Sequence, residues 1–89
     1  MIKPLFAIKD VKTTFWKPFV EVNDQSAIRE FSNLINSRNE FTEQNYNDLE
    51  LWKIGTYDDT TADIVSIVEY VACGRDFYKD PVKDGANGR

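Results

Sequence analysis

One stretch of this chain carries apolar residues at helical spacing, and the segments on either side of it are extended in character. Ala27, Ile28, Phe31, Leu34 and Ile35 fall at i, i+1, i+4, i+7 and i+8, which is a single apolar stripe. Arg29, Glu30, Ser32 and Asn33 occupy the opposite side. Asn23 and Asp24 can supply an N-cap oxygen to an orphan backbone N–H. Asn36, Ser37, Arg38 and Asn39 are poor interior residues and mark the exit. A helix over 24–37 with one apolar face must lie on something, and the remaining segments offer only strands. The implied architecture is α+β: a small antiparallel sheet of three to five strands with one amphipathic helix packed on one face.

The strands follow from the local composition. Leu5-Phe6-Ala7-Ile8 is a short continuous apolar run of the kind a central strand uses, with Pro4 at its start, where a missing N–H does least harm. Residues 13–22 are β-branched and aromatic, but Pro18 interrupts them, which predicts an edge or irregular strand. Residues 38–48 read as a polar connection pinned by Phe41 and Tyr46. Leu49 to Ile54 and Ile64 to Val68 form a hairpin around the turn cluster at 57–61, with a loop of about four or five residues. Trp52 and Ile54 share one strand face. Residues 68–77 fit either an extended run or a short helical turn. Ile28, Phe31, Leu34 and Ile35 are expected to pack against Leu5, Phe6, Ile8, Leu51 and Ile54. The reading is one domain over 1–78, followed by a mobile tail over 79–89 in which Pro81, Gly85 and Gly88 sit among charges.

Composition narrows the chemistry. The 89 residues include no histidine, which removes the usual general base, proton shuttle and transition-metal ligand together. Cys73 is the one cysteine, so neither an intramolecular disulfide nor a cysteine-rich zinc site can form. A non-enzymatic protein without metal or cofactor is expected. No apolar run approaches the roughly 20 residues of a membrane span, and Asp10 and Lys12 interrupt any signal-peptide core. The net charge is −4 and the pI about 4.7. Residues 1–20 nevertheless hold four lysines against Asp10, whereas residues 21–72 hold three basic groups against eleven acidic ones. That balance opposes tight non-specific DNA binding but leaves room for a local basic face.

The basic, aromatic segment Lys9–Phe19 is the best local candidate for function. Single-stranded nucleic acid is held by cations that track phosphates and by aromatic faces that stack on bases. Lys9, Lys12, Phe15, Trp16 and Lys17 could supply both. Strand alternation puts Phe15 and Lys17 on one side and Trp16 on the other, so not all can face one ligand. The competing reading places the aromatics in the core and the lysines at its rim. The acidic run Asp58 to Asp63 lacks the glycine and terminal glutamate of a calcium loop and reads as a solvated turn. Cys73 beside Arg75 is by default a small buried residue, and Gly74-Arg75-Asp76 has a scrambled adhesion-motif order.

Taken in order, these segments resemble a viral family. Phe6 to Asp10 matches an F-x-I-x-D strand, Lys17 to Phe19 a K-P-F step, Ala27 to Phe31 an A-x-R-x-F helix, and Leu51 to Thr61 a hairpin signature. The set is similar to the nonstructural protein of gokushoviruses, small single-stranded DNA phages of the microvirus group, over about residues 1–77. Ala62 stands where that family usually has glycine, which suggests an altered turn. The resemblance implies DNA binding in the host bacterial cytoplasm, in genome replication or at its switch to single-strand synthesis and packaging. The expectation is a protein that binds single-stranded DNA, with quenching of Trp16. The alternative is an acidic adaptor for a viral replication or capsid protein. A homodimer is expected in either case, because chains this small often complete their core by pairing.

Overall fold

A computed structural model describes residues 1–79. Its sheet has four antiparallel strands: β1 (Ile2–Asp10), β2 (Phe19–Val20), β3 (Leu49–Asp58) and β4 (Ile64–Cys73). They lie in the order β2-β1-β3-β4, so the first apolar run is indeed central. Helix α1 (Asp24–Ile35) connects β2 to a second short helix, α2 (Glu40–Asn45). Single 3-10 turns at Tyr46–Asp48, before β3, and Gly74–Asp76, after β4, lie together at the open end of the hairpin. Five residues, 59–63, separate β3 from β4. The fold is α+β, as the periodicities imply.

The helix begins where its cap residue predicts. Asn23 is extended, and its side-chain oxygen accepts the Ser26 N–H at 2.8 Å. The apolar stripe then buries Ala27, Phe31 and Ile35 against Phe6, Leu49, Leu51 and Ala72. Ile8, Trp16, Phe19 and Ile28 pack around that cluster. Leu5, Ile54 and Leu34, expected in the core, are only partly buried and lie outside it. The physical reason for Leu5 and Ile54 is strand alternation: Leu5 adjoins the buried Phe6, and Ile54 lies three positions from the buried Leu51, so each is sent to the other face. Between Leu5 and Phe6 the pairing with β1 skips Ile54, so β3 carries one more residue than β1 and changes face there.

Two other expectations change. The extended segment over 13–22 contracts to the two residues of β2 and an isolated Lys9–Phe15 bridge. Asp10 ends β1 by turning the chain: its carboxylate accepts the Lys12 N–H at 3.0 Å and its carbonyl the Thr13 N–H at 2.9 Å. The polar connection at 38–48 contains α2, capped by the Asn39 side chain, which accepts the Thr42 N–H at 2.8 Å. The ambiguous 68–77 stretch continues β4 to Cys73 and then takes one 3-10 turn. The tail reading, from residue 80 onward, lies outside the described residues.

Candidate nucleic-acid interface

The odd residues of β1 and their cross-strand partners form the sheet face turned away from α1. Phe6 belongs to the core, so Ala7 and Lys9 point the other way. Ala7 stands opposite Trp52, and Trp52 opposite Tyr70. Lys9 pairs with Glu50 on one side and with Phe15, through the isolated bridge, on the other. Three aromatic rings are thereby brought into a row across the sheet. Phe15 meets Trp52 edge to face at 5.9 Å between centroids, and Trp52 meets Tyr70 in the same way at 5.8 Å. Phe15 is 40% exposed and Tyr70 50%, whereas Trp52 between them is half-buried.

Charge is placed around the row. The Lys9 ammonium lies 5.4 Å from the centroids of both the Phe15 and Trp52 rings, within cation–π range. The indole N–H of Trp52 donates to Glu50 Oε1 at 2.9 Å, which fixes the orientation of the ring. Partial burial, with a smaller contribution from the neighbouring carboxylates of Asp76 and Glu50, holds the Tyr70 phenol above its ordinary pKa. Arg75 opposes that shift from the same end of the sheet. Lys3 lies on the same face farther along β1, opposite Tyr57, and pairs with Asp59 at 3.2 Å.

Of the five candidates from the sequence, the structure brings Lys9 and Phe15 together and separates the other three from them. Trp16 turns to the helix side, where it packs on the core and meets Phe41 at 5.9 Å. Lys12 pairs with Asp48 at 3.2 Å, and Lys17 is exposed beside Pro18. Trp52 and Tyr70 were not among the sequence candidates. For Trp52 the signal was present: Leu49 and Leu51 alternate with Glu50 and Trp52, which sets the indole opposite the leucines. Tyr70 lay in a stretch whose conformation was ambiguous.

Other chemistry-bearing groups are occupied. The acidic turn binds within the chain: the Met1 ammonium reaches Asp59 Oδ1 at 2.8 Å, and Asp58 accepts the Thr60 N–H. Among the described residues, no cluster of three or more acidic or cysteine side chains could hold a metal ion. Cys73 is buried, with the Arg75 guanidinium donating to its sulfur at 3.3 Å. An open groove of about 510 Å³ lies at the start of α1, lined by Ile2, Lys3, Pro4, Val22 and Thr56, and its charged groups are paired, Lys53 with Asp24 at 3.4 Å and Lys3 with Asp59 at 3.2 Å.

Fold and face together define a small α+β protein with its helix on one side of the sheet and an aromatic row with an attendant lysine on the other. The chain belongs to the Phage ORF5 protein family, whose model matches residues 3–77 and thus nearly every element described above; it is a phage protein. No curated protein and no solved structure matches it.

Proposed function

We propose that this phage protein binds single-stranded DNA on the helix-free face of its sheet. It does so as a non-enzymatic protein of genome replication, or of the switch to single-strand synthesis and packaging, in the host bacterial cytoplasm. The observation that carries this reading is the row Phe15–Trp52–Tyr70, partly exposed on a face that α1 does not cover, with Lys9 against two of its rings. Unpaired bases present the π-faces such a row can stack on, whereas duplex bases hide them. Lys9 beside Phe15 and Arg75 beyond Tyr70 provide the few cations that neutral stacking leaves for the phosphates, while Lys3 is held by Asp59. The likeness to gokushovirus nonstructural proteins supports the replication setting.

The test is titration of single- and double-stranded DNA at two salt concentrations with a Trp16→Phe chain, so that Trp52 alone reports. Binding should quench Trp52, favour the single strand, and show a shallow salt slope of about two to four phosphates. Phe15→Ala and Tyr70→Ala should each weaken binding by about 5- to 150-fold, the equivalent of about 1–3 kcal/mol per stacked base. Lys9→Glu should weaken it and flatten the slope further. Absence of binding at low salt, or indifference to these changes, would transfer the case to the adaptor reading. That reading is favoured by the excess of eleven acidic over three basic groups in residues 21–72.

A further inference from the structure

β4 is the outermost strand of the sheet and has β3 as its one strand neighbour among the described residues. Its outer backbone edge would therefore meet water. Natural edge strands are usually kept short or guarded by lysine, proline or an inward charge. The opposite edge, β2, is two residues long and follows Pro18. β4 is ten residues long, contains neither lysine nor proline, and carries Glu69 as its single charge. Ile64, Val65 and Val68 are each more than half exposed.

The exposure falls on both sides of the strand. Ile64 pairs with Tyr57 and Val65 with Thr56, so consecutive apolar side chains point to opposite sheet faces. A partner lying on one face would leave the other uncovered. A strand added at the edge flanks both and also supplies the missing hydrogen bonds. The chain's own β4 is suited to be that strand. In an antiparallel pairing centred on Ile67, Ile64 of one copy faces Tyr70 of the other, Ser66 faces Val68, and Val65 faces Glu69. No like charges stand opposite, although each copy has a net charge of −4. The contact is isologous and closes on itself as a two-fold dimer.

We propose that two copies of this chain associate through the outer edges of β4, antiparallel and centred near Ile67, to give one eight-stranded sheet. A two-fold axis normal to the sheet leaves both helix-free faces on the same side. Each aromatic row ends at Tyr70 on β4, so pairing sets the two rows on one face, offset along the strands by the six positions from Ile64 to Tyr70, or about 20 Å. That last consequence rests on the DNA-binding reading; the self-association does not.

Sedimentation equilibrium of the DNA-free chain from 1 to 200 µM tests the association, with amide hydrogen exchange at both ends of that range. Dimers should form, and the outward-facing amides of residues 64–70 should gain protection with concentration while Val20 does not. Val68→Lys should weaken association by at least about thirtyfold, the loss expected at an interface hot spot. Val22→Lys, at an equally exposed site away from β4, should leave it unchanged. Under oxidation Ile67→Cys should cross-link the two copies, and Val65→Cys should not. A chain that is monomeric throughout would overturn the proposal. So would a dimer insensitive to Val68→Lys, or β4 amides protected equally at every concentration, which would mean that another segment of the same chain covers the edge. A β4 dimer that ignores DNA would uphold the pairing and remove only the function proposed above.

Discussion

Ala62 shows how a single residue records a compromise. Its φ is 67°, in the left-handed region where a Cβ costs about 1–2 kcal/mol and glycine is unstrained. The chain therefore keeps, with alanine, the backbone conformation that glycine favours at this position of the hairpin turn. Ala62→Gly should relieve that strain and return part of it through a freer unfolded chain, for a net stabilisation of about 0.5–1 kcal/mol. Urea midpoints of the two chains check the sign. Gly55 is the opposite case. A Cβ there would lie 2.4 Å from the Val65 carbonyl oxygen, so β3 and β4 can approach only because the side chain is missing. Gly55→Ala should destabilise the fold by about 1–3 kcal/mol, the usual cost of overpacking, again read from the urea midpoint.

At the scale of elements, the tip of the β3–β4 hairpin is held by charge. A hydrogen bond to Asp59 is the main reason the Met1 ammonium titrates above its ordinary value near 8. The Thr60 N–H lowers the pKa of Asp58, and the ammonium, then Lys3, lowers that of Asp59. The raised amine contributes fully below about pH 8, and its contribution is lost as pH rises through its folded value. The lowered carboxylates contribute above about pH 4, and theirs is lost as pH falls through their folded values. The clamp should thus be complete between about pH 4 and 8 and loosen on either side. Amide exchange at 59–63 should report this locally while the global unfolding midpoint moves little, because the groups are exposed. Helix α1 depends instead on its cap: Asn23→Ala removes the acceptor of the Ser26 N–H and should cost about 1 kcal/mol in chemical denaturation.

For the molecule as a whole, the described residues extend 53 × 26 × 18 Å, longer than a compact chain of this size, because the hairpin runs on past the helix. A single apolar cluster under α1 therefore holds together a sheet that is bare on its other face. Phe31 lies at its centre, 1% exposed, and meets Phe77 edge to face at 5.9 Å. Phe31→Ala should remove about 3–5 kcal/mol, a large share of the 5–15 kcal/mol typical of small domains, and leave the chain near its unfolding threshold at 37 °C. Loss of near-ultraviolet circular dichroism on warming would show it. The same asymmetry frees the aromatic row: rings that a second helix would have buried remain open to a ligand.

Much of this was legible from local patterns. The 3.6-residue stripe and its asparagine cap marked α1, and β-branched runs around a polar turn marked the hairpin, because these signals depend on neighbours a few residues away. The absence of histidine likewise constrained the chemistry before any coordinates. The sequence also marked Lys9 and Phe15, and alternation alone predicted that Phe15 and Trp16 part company. Other assignments required long-range pairing. The bulge at Ile54, which moves Gly55 and Tyr57 to the face of Leu5 and Lys3, arises only when β3 aligns with β1. Asp10 turns the chain back, so that a segment with strand composition becomes mostly loop. Phe15, Trp52 and Tyr70 are separated by 37 and 18 positions in the chain and become one row only through two strand registers. A local pattern tells which face of its own strand a side chain occupies; which side chains of other strands share that face is decided by register, and register is set by the tertiary structure.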